Sequence, residues 1–146
     1  MSDLYDDDIL LWSEQQAAVL RRLAAGELVN EAELDWPNIA EEIESVGRSE
    51  LHAVESHLVQ ALRHDLKAEA WPTSRHTPHW RAEARGHRDE ARQRYTPSMA
   101  QRIDVAKLYR RARRAMPETI DGLPPLPMDQ TCPVSLEELL AEPPDA

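Results

Sequence analysis

Proline placement constrains this 146-residue chain more than any other feature. Only Pro37, Pro72, Pro78 and Pro97 precede Pro117, and then prolines crowd the last thirty residues. Proline lacks the amide hydrogen and clashes inside a helix, so each one marks where a helix starts or has stopped. Glycine is as sparse, with Gly26, Gly47, Gly86 and Gly122 alone. That scarcity argues against a glycine-rich phosphate loop and against a turn-rich β fold.

Between the prolines the apolar residues keep a helical period. The spacing predicts a first helix over 6–25, with Ile9, Trp12, Val19, Leu20 and Leu23 on one stripe and Gly26 as its stop. A second, over 36–70, carries Ile39, Ile43, Val46, Leu51, Val54, Leu58, Ala61, Leu62 and Leu66. At 1.5 Å per residue that helix is about 50 Å long, so a bend or break is expected near Gly47, a continuous but bent helix being preferred to a break. Thr77-Pro78 opens a third helix over 78–95, and Thr96-Pro97 repeats the signal for a fourth over 97–115, the two forming an antiparallel hairpin. The stretch 117–146 reads as a Pro-rich tail, extended at Leu123–Pro127 and frayed at its end. Within it the capping box of Ser135 and Glu138 starts a short helix over 136–141.

The expected fold is one all-α, four-helix bundle-like domain over 1–146. Its interior must come from Leu, Ile, Val and Ala, because the chain has no Phe. The single cysteine, Cys132, excludes an intrachain disulfide and any multi-cysteine zinc site. The first residues lack the basic start and apolar run of a signal peptide, and no stretch is apolar enough to span a bilayer, so a cytoplasmic protein is expected.

Charge is divided unevenly. Residues 75–114 hold twelve Arg or Lys against four acids, a local +8, which leaves −18 for the rest of a chain whose net charge is −10. Arg81, Arg85, Arg88 and Arg92 follow helical steps and form one stripe, a candidate for anion or nucleic-acid contacts. The alternative, neutralisation by the acidic helices, is preferred because the whole chain is acidic. Glu41, Glu42, Glu44 and Glu50 form the densest carboxylate group, read first as a solvated face or as partners for arginines of the third and fourth helices. His57 and His64, seven residues apart, face one way along the second helix, with Lys67 a turn further on. Buried, hydrogen-bonded core histidines are the first reading, and convergence with Glu41 or His79 is the sharper one. No Glu has His three positions later and no two His are four apart, so neither the bridged di-metal motif nor the helical two-histidine zinc motif is present. No metal and no cofactor are therefore expected.

The blocks Leu4–Asp8 leading to Trp12, Asp35-Trp36, Asn38–Glu44 and Gly47–Glu50 form a distinctive pattern. Ser56-His57-Leu58, His64, Lys67, Trp80, Tyr109-Arg110, Ala112-Arg113, Thr131-Cys132-Pro133 and Leu136-Glu137 continue it. In these residues the chain resembles the bacterial domain-of-unknown-function family 29 along nearly its whole length. It departs from that pattern at Asp65, where other members carry an apolar residue. The resemblance implies an all-α fold and supplies no activity. The functional expectation is a helical interaction or structural module with a protein partner or a second copy of itself, and no membrane contact. The alternatives are a nucleic-acid accessory using the Arg stripe and a metal-dependent hydrolase using Glu41 or Glu44 with His57 and His64.

Overall fold

The computed structural model describes residues 3–144, so the last two positions of the expected frayed end lie outside them. Among the described residues there are six α-helices and no strand: α1 (Leu4–Asp7), α2 (Ile9–Ala24), α3 (Trp36–Ala70), α4 (Thr77–Arg94), α5 (Val105–Arg114) and α6 (Leu136–Leu140). The fold is all-α, as the proline spacing predicts. The chain divides into two compact units, one up to Arg48 and one from Ser49 onward.

In the first unit the predicted helix over 6–25 is two helices that meet at Asp8. Asp8 leaves helical geometry (φ −152°, ψ 87°) because its carboxylate accepts from the Leu11 amide and so caps α2. A capping carboxylate competes well with helix continuation. At the other end Gly26, with φ +83°, gives the left-handed stop: Gly26 N donates to Leu23 O and Glu27 N to Arg22 O. The interior is small and consists of Trp12, Leu34 and Ile39. A polar tie holds it. Asp35 accepts from the Trp12 indole (3.0 Å) and from Asn38 (2.8 Å), while the Asp35 amide donates to Gln16 (2.8 Å). The Asn38 hydrogen bond above all, with Trp12 adding to it, outweighs burial and holds the Asp35 carboxyl below its ordinary range. Tyr5 donates to Glu42 at 2.6 Å, and that bond pushes the phenol up to about 12.

α3 runs unbroken through Gly47, contrary to a break there. Its stripe is interrupted instead. Ile43 and Val46 are 69% and 68% exposed, because the interior of the first unit ends at Ile39 and nothing covers the next turns.

In the second unit Val54, Leu58, Leu62 and Leu66 of α3 pack with Ala91, Met99, Ile103, Leu108, Tyr109, Ala112 and Leu139. The predicted helix over 97–115 is shorter than expected. Thr96-Pro97 yields one tight turn, Pro97–Met99, and α5 starts only after Asp104, whose carboxylate accepts from the Lys107 amide. Met99 and Ile103 are still buried, so this stretch serves the core without being helical. Thr77 does not cap α4. Its buried hydroxyl donates to Trp71 O at 2.7 Å and ties off the end of α3.

The Pro-rich tail is bound in place by backbone and side-chain donors. Trp71 Nε1 donates to Leu123 O (2.9 Å), Leu126 N to Ala70 O (3.0 Å) and Tyr109 OH to Asp129 O (2.6 Å). Arg92 reaches the carbonyls of Leu140 and Ala141 at the end of α6. Leaving one buried donor of this kind unpaired costs about 1–3 kcal/mol.

Two glycines test the backbone account. Gly26→Ala forces a side chain into left-handed geometry and is expected to destabilise the protein by about 1 kcal/mol. Gly47→Ala, in open space within α3, is expected to stabilise it by about 1 kcal/mol. Urea denaturation of both variants checks the signs, and a stabilising Gly26→Ala would refute the cap.

Candidate metal centre

The second unit places α3 and α4 side by side in antiparallel register. Glu50 pairs with Arg94 at 3.4 Å, His57 meets His87, and Lys67 Nζ lies 5.9 Å from the ring centroid of Trp80. Ala61 and Ala68 on α3, and Ala84 and Ala91 on α4, are buried to 1% exposure or less. Methyl-sized side chains at such positions let two helix backbones approach closely, and polar side chains from both helices then meet beside the seam.

One ring nitrogen of His64, a Glu83 carboxylate oxygen and one ring nitrogen of His87 all lie within 4.8 Å of one another. Glu83 and His87 are four apart on α4 and so share a face. Glu83 Oε2 is 4.0 Å from His87 Nε2, while His87 Nδ1 is 3.1 Å from His57 Nδ1. Two Nδ1 atoms share a hydrogen bond only if one of them carries the proton. When His87 donates, its Nε2 lone pair is free to face Glu83, and His57 fixes both tautomer and ring orientation. The rings of His64 and His87 are parallel, with centroids 5.8 Å apart. His64 Nδ1 is buried and has no hydrogen-bond partner among the described residues. Burial first, then the Lys67 charge and His87, push its pKa below the ordinary value, so the ring is neutral as a metal ligand requires.

A cation at about 2.1 Å from each donor would bring the donors to about 3.4 Å apart. The exposed Glu83 side chain has the rotamer freedom to close that gap while His57 holds His87. Two imidazoles and a carboxylate suit zinc and its neighbours in the first transition row.

The residues singled out in the sequence divide three ways. His57 and His64 each meet His87 and are half-buried. Lys67 is half-buried one turn beyond His64, its pKa lowered by burial and by Arg63. Glu41 and Glu44 belong to the first unit, where both are exposed and pair with Arg48. Glu50 is taken by Arg94, and His79 is exposed outside the cluster. In the Arg stripe, Arg88 pairs with Asp65 and Arg92 with Asp89, which leaves Arg81 and Arg85 exposed without an ion pair among the described residues. A half-neutralised stripe is a poor phosphate track. Glu83 and His87 are the residues that sequence reasoning missed, and their signal was the four-residue Glu–His spacing.

Residues 4–143 match the model described as Domain of unknown function DUF29. The crystal structure of an α-helical protein of unknown function from Rhodospirillum rubrum is similar, with 31% identity and a TM-score of 0.69 over 99% of this chain and 94% of that one. No curated protein matches.

Proposed function

This chain belongs to the family described as domain of unknown function DUF29, and we propose that it binds one divalent transition-metal ion through His64, Glu83 and His87. The observation that carries the reading is the convergence of those three donors within 4.8 Å, from two helices. His57 is the positioning residue that holds His87. Three protein donors leave a coordination position open, the arrangement of hydrolytic and not of structural zinc sites, and a water bound there is acidified towards neutrality. The hydrolase reading of the sequence thus keeps His57 and His64, with Glu83 and His87 in place of Glu41 and Glu44. Its setting is the bacterial cytoplasm, where the lone thiol of Cys132 stays reduced.

Calorimetric titration of the dialysed protein with zinc chloride is expected to show one equivalent bound. His64→Ala and Glu83→Gln each weaken binding by about 100-fold or more, and His57→Ala by about 10- to 100-fold. Affinity falls with decreasing pH once His64 protonates, at a pH below the ordinary imidazole range, since a protonated imidazole cannot ligate. No stoichiometric uptake, or equal uptake by the His64→Ala variant, overturns the reading.

A second reading rests on a separate observation. Trp36, Ile43 and Val46 are exposed on the first part of α3 at steps of seven and three, the spacing of a two-helix seam. We propose self-association through that face. Sedimentation should show a concentration-dependent dimer that Ile43→Glu dissolves, and a monomer at about 100 μM, well above the micromolar range of ordinary association, would refute it.

A further inference from the structure

We infer that the surface beside the metal centre takes a phosphate group, held by Lys67 and Arg63. The inference rests on the metal reading of the same site. Arg63 and Lys67, four residues apart, share one face of α3, and Lys67, one turn beyond His64, lies between Arg63 and the histidine around the helix, with both charges acting on the His64 ring. Neither cation has a carboxylate partner. Among the described residues no ion pair is made by Arg63 or Lys67, in a unit where Arg88, Arg92 and Arg94 each find an acid. Arg63 makes one side-chain hydrogen bond, to Gln60 at 3.3 Å, and its Nε is buried with no partner. Lys67 is half-buried and stands over the Trp80 ring, one helical turn from Glu83, so its ammonium is held beside α4 and not swept through solvent.

Charge selects the ligand. A divalent cation bound by two neutral imidazoles and one carboxylate retains one positive charge, and Arg63 and Lys67 add two more. A dianion matches that field better than a monoanion. Arg63 supplies planar paired donors and Lys67 a point charge, the two cations that most often bind phosphate. The only acid within the donor set is Glu83, which the metal would occupy. The substrate class that follows is a phosphate ester or a phosphorylated small molecule, its phosphate placed against the open coordination position.

The test uses zinc-loaded full-length protein titrated with inorganic phosphate and, separately, with acetate. Phosphate is expected to bind at least about 10-fold more tightly than acetate, in a manner that depends on zinc. Lys67→Met and Arg63→Met should each weaken phosphate binding by about 10-fold while still taking up one equivalent of zinc no more weakly than the wild type, since losing a nearby positive charge does not disfavour a cation, and that uptake also shows that each variant is folded with its centre intact. Equal binding of phosphate and acetate, no phosphate binding by the zinc-loaded protein, or full phosphate affinity in both variants overturns the inference and leaves the metal reading standing. Failure of the wild-type protein to take up zinc removes the metal reading itself. Phosphate that still binds the zinc-free protein and is lost in Lys67→Met would show an anion site without a metal, which contradicts the inference as stated.

Discussion

The antiparallel register of α3 and α4 is the constraint on which the chemistry of the second unit depends. Ala61, Ala68, Ala84 and Ala91 have almost no exposed surface, and larger side chains there would have to displace their surroundings. A shift of one helix along the other would break the 3.1 Å contact between His57 and His87 and separate His64 from Glu83. Polar groups that meet across such a seam are costly unless satisfied. Most here are satisfied; the exceptions among the described residues of the two helices are Arg63 Nε, His64 Nδ1 and Arg88 Nε, and of these His64 Nδ1 belongs to the proposed donor set.

The rest of the second unit holds that seam in place. The Trp71 indole and the Ala70 carbonyl take their partners from the tail, so the end of α3 is secured by residues more than fifty positions away. Thr77 spends its hydroxyl on Trp71 and not on its own helix, which fixes the short connection into α4. Arg92 then ties α4 to the end of α6. The opposite face of the helix pair carries Asp65 and Glu69 with Arg81 and Arg88 around a cavity of about 220 Å³. Burial raises the pKa of both acids, Glu69 with Asp65 adding to the effect, and Arg88 offsets part of it. Asp65 is accommodated in these half-buried surroundings by its ion pair with Arg88.

Much of the helical layout was legible because proline and glycine act locally. Pro37, Pro72 and Pro78 bracket α3 and α4 within a residue or two, and Gly26 stops α2 as its position suggested. Aspartates were harder to read. Asp8 and Asp104 look like ordinary polar positions on a helix, and only the structure shows each carboxylate capturing an amide three residues on and ending the preceding stretch. Ile43 and Val46 kept the right period but not the right surroundings, since periodicity tells which residues share a face and not whether anything covers it. The candidate site was half legible. His57 and His64 could be paired from their seven-residue spacing, but their partners could not be chosen. The register of α4 against α3 is set by the turn between Trp71 and Thr77 and by buried alanines, and no local pattern encodes it.

The central claim is that His64, Glu83 and His87 form one coordination site. Anomalous diffraction at the zinc absorption edge, from crystals grown with one equivalent of zinc, tests it most directly. The account predicts a single strong peak about 2.1 Å from a ring nitrogen of His64, from His87 Nε2 and from a Glu83 oxygen. A peak at Cys132 or at His76 and His79, or none at all beside those three residues, would contradict it.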